Sequence, residues 1–156
     1  MIVVDSNVIA YCWIRGERAE IAQRVRLRDP AWRVPVLWRS ELRSALTGYL
    51  WRGTLEVDDA TNIMKAAENA LAECEHLVAS GTVLELAART RLSAYDCEFV
   101  ALAQSLAVPL VTEDRAVLKG FPDLALTMEG FLASFPPAAH EKRGRYQKIG
   151  SPPTRG

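Results

Sequence analysis

The chain has 156 residues, of which 49% are hydrophobic and 24% charged, a size and composition that suit one globular domain with one core. Its net charge of zero gives no bulk argument for nucleic-acid binding, although residues 1–55 carry an excess of positive charge and residues 56–136 an excess of negative charge. We expect a cytoplasmic protein without a signal peptide or a membrane span. Asp5 breaks the first apolar run, residues 99–112 are the longest uncharged stretch, and three cysteines show no paired or zinc-like spacing.

The first half of the sequence alternates short apolar strands with helices. Residues 1–4 are β-branched at three of four positions and predict a strand, and Asp5, Ser6 and Asn7 are suitable caps for the helix that follows. In chain order we predict a strand at 1–4, helices at 8–14 and 19–27, a strand at 34–36, a helix at 38–52, and a long helix capped by Asp58 and Asp59 that runs to about residue 74.

The same alternation continues to residue 135. We predict a strand at 76–79, helices at 81–90 and 94–106 (the second capped by Ser93), a strand at 109–112, a short helix at 115–119, a strand at 124–127 and a helix at 129–135. This order favours an α/β fold in which helices cover both faces of a parallel sheet. From Pro136 the sequence is polar and rich in Pro, Gly, Lys and Arg, which predicts a flexible tail over residues 136–156 beyond a domain at 1–135.

Two acids follow predicted strands. Asp5 comes directly after the first strand, and Asp114 lies two residues beyond the strand that ends at Thr112. Ligands of parallel α/β sheets bind beyond the carboxyl ends of the strands, so both acids are candidates for a site. Each could equally be the N-cap of the next helix, because Asp is a preferred capping residue.

Two further acids lie on predicted helices. At about 100° per residue, Asp96 shares a face with Phe99 and Ala103, which predicts that it lies on the buried stripe, whereas Glu98 is expected to face solvent. Asp96 could instead be a first-turn acid that favours the helix dipole. Glu41 lies at the edge of an apolar stripe and has no basic residue three or four positions away.

Converging acids at these positions would suit a divalent metal. Buried carboxylates are unfavourable unless a cation compensates them, and Mg²⁺ and Mn²⁺ prefer oxygen ligands. Such ions polarise phosphoryl oxygens and activate water. A histidine site is not supported, because His76 is predicted at a strand edge and His140 in the polar tail. A phosphoryl-accepting receiver domain is also excluded, because Asp5 stands alone after its strand and no lysine closely follows Thr112.

The four acids lie in four blocks of sequence with an informative order and spacing. The blocks are Val3-Val4-Asp5-Ser6-Asn7, Ser40-Glu41-Leu42, Ser93-Ala94-Tyr95-Asp96 with Val100-Ala101-Leu102-Ala103, and Leu110-Val111-Thr112-Glu113-Asp114. Together they resemble the blocks of PIN-domain nucleases, most closely the VapC-type toxins of bacterial toxin–antitoxin pairs. The likeness covers residues 1–135.

The resemblance implies a three-layer α/β/α sandwich around a short-stranded parallel sheet, and a ribonuclease that depends on Mg²⁺ or Mn²⁺. It implies an RNA substrate, a homodimer and a cognate antitoxin that blocks the site. Glu113 departs from the family pattern and is expected to face solvent. By motif match, the acidic quartet would be Asp5, Glu41, Asp96 and Asp114. Asn7 and Thr112 would be polar residues that support the quartet, and Arg115 would be a nearby arginine that contacts the RNA.

Two alternatives to a toxin remain open from the sequence. The first is a catalytically silent PIN-fold module kept for dimerisation or for binding a small partner, and the intact acidic quartet argues against it. The second is an RNA-processing nuclease without an antitoxin, and nothing in the chain separates it from a toxin.

Overall fold

Five short strands form the centre of the structure, a computed structural model that describes residues 1–134. The strands are β1 (Ile2–Val4), β2 (Trp32–Pro35), β3 (Glu75–His76), β4 (Leu110–Val111) and β5 (Ala125–Leu126). They pair in the order β3-β2-β1-β4-β5, and every pairing is parallel. The predicted parallel α/β sheet is therefore confirmed.

Helices connect the strands. They are α1 (Ser6–Trp13), α2 (Ala19–Arg28), α3 (Trp38–Trp51), α4 (Val57–Leu71), α5 (Ser80–Thr90), α6 (Ala94–Leu106), α7 (Arg115–Gly120) and α8 (Met128–Ser134), with a 3-10 turn at Ala72–Cys74 before β3. Helix α6 packs on β1, β2, β4 and α5, while α1 packs on α2, α3 and α4. This is the sandwich of helices around a sheet that the sequence predicts. Within residues 1–134, no helix has the length and apolar character needed to cross a bilayer.

The strand order creates a crevice beside β1. The chain goes from β1 to β2 on one side and returns later to β4 on the other, so the direction of winding reverses between β1 and β4. Such a switch point leaves space beyond the carboxyl ends of the two strands, where α/β proteins bind ligands. Val3 is paired with Leu110 and Val4 with Val111, and all four side chains are fully buried. Asp5 and Thr112, the residues that follow, therefore lie side by side at the crevice.

Helix α6 is buried around most of its circumference. Its buried residues are Cys97, Phe99, Val100, Ala101, Leu102 and Ala103. Ser93 caps this helix as predicted, because its Oγ accepts a hydrogen bond from the Asp96 backbone N–H at 3.1 Å. A helix between a sheet and a neighbouring helix has no broad solvent face, so its periodicity is a weak guide to which side chains are exposed.

Several predicted boundaries are wrong. The strand predicted at 76–79 ends at His76, and Leu77 is 91% exposed. Asp58 and Asp59 lie in the first turn of α4, whose cap position is occupied by Glu56. The strand predicted at 34–36 starts earlier, at Trp32. Residue 135 of the last predicted helix and the tail predicted at 136–156 lie outside the described residues.

Core packing around α3 fixes the helix that carries Glu41. We expect Leu42→Ala to lower the free energy of unfolding by about 2–5 kcal/mol, because Leu42 is fully buried and truncation leaves a cavity. Ser44→Ala on the exposed face of α3 is the matched control and should change it by less than about 0.5 kcal/mol. Urea denaturation measures both values, and equal stabilities for the two variants would contradict this description of the core.

Candidate functional site

Asp5 is the most deeply buried acid at the crevice. Its backbone N–H donates to the carbonyl of Val111 at 3.0 Å, which extends the ladder between β1 and β4 by one residue. Its side chain is 7% exposed. Oδ1 accepts a hydrogen bond from the Ser6 N–H at 2.6 Å, and Oδ2 accepts from Thr112 Oγ1 at 2.6 Å and from Asn7 Nδ2 at 3.1 Å. All three donors are neutral groups.

Thr112 and Asn7 link the ends of the two central strands. The Thr112 side chain is completely buried, and its hydroxyl donates to Asp5 while accepting from the Asp114 N–H at 3.0 Å. Asn7 Nδ2 also donates to Thr112 Oγ1 at 3.3 Å, and Asn7 Oδ1 accepts from the Glu113 N–H at 3.2 Å. These bonds fix Asp5 and the backbone that carries Asp114 relative to each other.

The other three predicted acids surround Asp5 on separate elements. Glu41 on α3 is half-buried and accepts a hydrogen bond from Ser6 Oγ. Asp96, in the first turn of α6, accepts from Ser93 Oγ at 2.6 Å. Asp114 caps α7, where its Oδ1 accepts from the backbone N–H groups of the second and third residues of the turn at 2.8 and 2.9 Å. The capping role foreseen for Asp114 is therefore present.

The acids influence one another electrostatically. Burial, with a smaller contribution from the charges of Asp96 and Asp114, raises the pKa of Asp5 from 3.8 to about 6, and this value already includes the lowering effect of the hydrogen bonds from Thr112 and Ser6. Burial also raises the pKa of Glu41, and neighbouring negative charges add to the effect. Those charges belong to Asp5, Asp96 and Glu98. Among residues 1–134, no basic side chain forms a salt bridge with any of the four predicted acids.

The donor atoms fit a hard divalent cation, although the side chains do not form a ready-made cage. In the described part of the chain, no three acidic, histidine or cysteine side chains are placed together as a metal site. Asp114 Oδ2 and Asp96 Oδ1 have no hydrogen-bond partner among residues 1–134, so each acid keeps one oxygen available. Oxygen donors around a buried, uncompensated Asp5 are the chemistry that Mg²⁺ and Mn²⁺ prefer.

Residues 2–122 of this chain match the PIN domain family. The chain belongs to the PIN-domain family. It is 29% identical over 126 residues to ribonuclease VapC3 of Pyrobaculum aerophilum, an alignment that covers 79% of this chain and 96% of that protein. The crystal structure of PAE2754 from Pyrobaculum aerophilum matches the fold with a TM-score of 0.70 at 21% identity, over 86% of this chain and 88% of that one. The resemblance to VapC-type PIN proteins drawn from the four sequence blocks is confirmed.

The PIN domain differs from the sequence predictions at the two acids of α6. Asp96, predicted on the buried stripe, is only half-buried, and Asp5 is the buried acid instead. Glu98, predicted to face solvent, is half-buried, and burial raises its pKa. Its negative charge also contributes to the raised pKa of Glu41. The helical-wheel argument fails here because α6 is surrounded on most sides.

Glu113 is also placed differently from the prediction that it faces solvent. Its side chain is 20% exposed, and its Oε2 forms an ion pair with Arg18 at 2.8 Å. Its Oε1 accepts from the backbone N–H of Met128 at 2.9 Å, at the start of α8. Arg18 also forms an ion pair with Glu129 at 2.8 Å. Glu113 thus anchors the loop between Thr112 and Asp114 through partners that are distant in sequence.

We expect Asp5→Asn to stabilise the metal-free PIN domain at neutral pH. The folded protein binds the Asp5 proton more tightly than the unfolded chain, since the pKa rises from 3.8 to about 6. The free energy of unfolding of the wild type therefore falls, relative to the variant, as the pH rises from about 4 to about 6, and the deficit persists above that range. The full difference is at most about 3 kcal/mol.

Urea denaturation in a chelator at several pH values measures this difference. Asp123→Asn, at an exposed aspartate, is the control and should leave the stability within about 0.5 kcal/mol of the wild type. A variant Asp5→Asn that is less stable than the wild type at neutral pH would show that the Asp5 charge is not a source of strain.

Proposed function

We propose that this protein is a Mg²⁺- or Mn²⁺-dependent endoribonuclease and the toxin of a toxin–antitoxin pair. The observation that carries the proposal is the buried Asp5, which has no cationic partner within residues 1–134 and lies at the strand switch point of a PIN domain. Three further carboxylates act on the same site. RNA as the substrate is supported by the similarity to a relative named ribonuclease VapC3.

Asp5, Asp96 and Asp114 would hold the metal, with Glu41 as a fourth ligand or a neighbouring acid. The bound ion would polarise a phosphoryl oxygen and favour the deprotonation of water. Thr112 and Asn7 orient Asp5 by donating hydrogen bonds to its Oδ2, so Oδ1 and Oδ2 keep fixed directions. Ser6 does the same for Glu41.

Arg115 is suited to contact the RNA backbone. It is exposed, it directly follows Asp114 at the start of α7, and it forms no ion pair with any residue from 1 to 134. Phosphate contacts of this kind orient a nucleic acid without reading its sequence.

The proposal includes a homodimer, a cognate antitoxin and a cytoplasmic location with the RNA. The support for the dimer, the antitoxin and the location is the VapC-type resemblance, together with the similarity to the relative named ribonuclease VapC3. An RNA-processing nuclease without an antitoxin would have the same site, so growth effects rather than chemistry separate the two functions.

We expect Asp96→Asn to lower the rate of RNA cleavage by more than about 100-fold. This loss would exceed the 10- to 100-fold effect that is usual when a residue merely supporting a metal ligand is changed. The assay uses a panel of structured RNAs with Mn²⁺ and, in parallel, with EDTA. Glu85→Gln removes an exposed carboxylate from α5 and is the charge-matched control, with activity close to the wild type.

Two results would count against this site. Equal cleavage by the wild type and by Asp96→Asn would show that the activity comes from elsewhere. An absence of Mn²⁺ and Mg²⁺ binding in isothermal titration would favour the silent PIN-fold module.

We expect brief induction of the wild-type chain in cells to arrest growth, and Asp5→Ala to abolish the arrest. Co-expression of a small DNA-binding protein encoded next to this gene should restore growth if the pair is a toxin and its antitoxin. Growth that continues normally, together with cleavage of a defined RNA in vitro, would identify an RNA-processing enzyme instead.

A further inference from the structure

A groove of about 410 Å³ lies beside the candidate active site, between α1, α3 and the turn that joins α1 to α2. Its volume is within the range of small-ligand sites. Asn7 lines the groove and also donates a hydrogen bond to Asp5, so the groove and the acid site share a residue. The other residues used below are Tyr11, Arg15, Ala45 and Tyr49.

Helix geometry explains why the groove leads away from the acids. Asn7 and Tyr11 follow one another on the same face of α1, and Ile14 lies directly after the end of that helix. On α3, Ala45 and Tyr49 continue the line of Glu41 at intervals of four residues. The hydrogen bond from Ser6 to Glu41 joins the starts of both helices at the acid site. At a rise of about 1.5 Å per residue, Tyr49 lies about 12 Å along α3 from Glu41.

The groove combines aromatic rings with positive charge. Arg18 lies over the Tyr11 ring at 5.9 Å and Arg52 over the Tyr49 ring at 4.7 Å. Neither tyrosine hydroxyl has a hydrogen-bond partner among residues 1–134, so both can donate to a ligand. Small side chains, including Ala45, line the groove together with the two rings.

Arg15 supplies a positive charge that the fold does not use. It is exposed and has no ion pair within residues 1–134, whereas Arg18 is held by Glu113 and Glu129. Glu17 also lines the groove and partly offsets this charge. Aromatic rings interleaved with arginine are the usual means of binding single-stranded nucleic acid.

We propose that this groove binds a nucleotide of single-stranded RNA next to the phosphate that is cleaved. Its base packs against Tyr11 and Tyr49, and its phosphate pairs with Arg15. The position relative to the cleaved phosphate rests on the proposed ribonuclease function, whereas binding itself does not require cleavage. A peptide segment is the competing occupant, and the pair of aromatic rings beside the guanidinium of Arg15, which is unpaired within residues 1–134, favours a nucleotide over it.

The test measures binding of a short, fluorescein-labelled single-stranded RNA of random sequence by fluorescence anisotropy. The full-length chain carries Asp96→Asn, so that the probe stays intact. Tyr11→Ala and Tyr49→Ala should each weaken binding by about fivefold or more, because a stacked base loses its aromatic partner. Tyr11→Phe and Tyr49→Phe should restore most of the affinity.

Charge and shape are tested separately. Arg15→Gln should reduce the slope of log affinity against log salt by about 0.7, the value for one phosphate contact on a single strand. Arg89→Gln, at an exposed arginine of α5, is the matched control and should leave the slope unchanged. Ala45→Leu fills the groove without removing a tyrosine and should also weaken binding, so the proposal stays testable if an alanine variant does not fold.

The outcomes distinguish this inference from the proposed function. Unchanged RNA binding by folded tyrosine variants and by Ala45→Leu would overturn the groove proposal, even if the wild type cleaves RNA. Loss of RNA binding by these variants in a protein that cleaves no RNA would support the groove and refute the nuclease. Equal losses for the alanine and phenylalanine variants would exclude stacking and overturn the proposal as stated.

Discussion

The desolvated carboxylate of Asp5 is the constraint around which the site is built. Its backbone is still part of the sheet, because its N–H pairs with Val111, and its side chain is held in place by hydrogen bonds from Thr112 and Asn7. Neutral donors from Ser6, Asn7 and Thr112 stabilise the ionised form only in part, and the pKa remains raised. A fold that holds an acid in this state draws on stability from elsewhere in its core, and such local conflicts are concentrated at functional sites.

Capping and metal binding are compatible roles for the surrounding acids. Asp114 uses Oδ1 to accept the first N–H groups of α7, which leaves Oδ2 directed by the same bonds but otherwise unoccupied among residues 1–134. Asp96 likewise keeps one oxygen after bonding Ser93. A cap immobilises the carboxylate, and an immobilised carboxylate loses less conformational freedom when a cation binds. The local preference of Asp for helix starts therefore helps to build the site rather than competing with it.

The sequence predicts the sheet well, because apolar runs of four or five residues alternate with amphipathic helices. It also predicts that Asp5 and Asp114 lie near the carboxyl ends of parallel strands, whereas the contact between Asp5 and Thr112 becomes visible only from the pairing of β1 with β4. It fails at α6, where Asp96 and Glu98 are both half-buried instead of one buried and one exposed, because a helix enclosed by a sheet and another helix has no dominant solvent face. The prediction at Leu77 is wrong for another reason: this apolar residue extends the pattern of a strand in the sequence, but it is exposed and lies after the end of β3. The contacts of Glu113 have no local signature, because its partners lie on other elements.

The ion pair between Arg18 and Glu113 connects the acid site with the neighbouring groove. Arg18 contacts Glu113 through Nη2 and Glu129 through both Nη1 and Nη2, and its guanidinium lies over the ring of Tyr11. Glu113 in turn lies between Thr112 and Asp114, and its backbone is held by Asn7. A lysine could not make these contacts at once, because its compact ammonium lacks the planar fork that joins two carboxylates while stacking on a ring. The residue that forms a wall of the groove therefore also contacts the loop that carries Asp114, so the groove and the acid site share a guanidinium as well as Asn7.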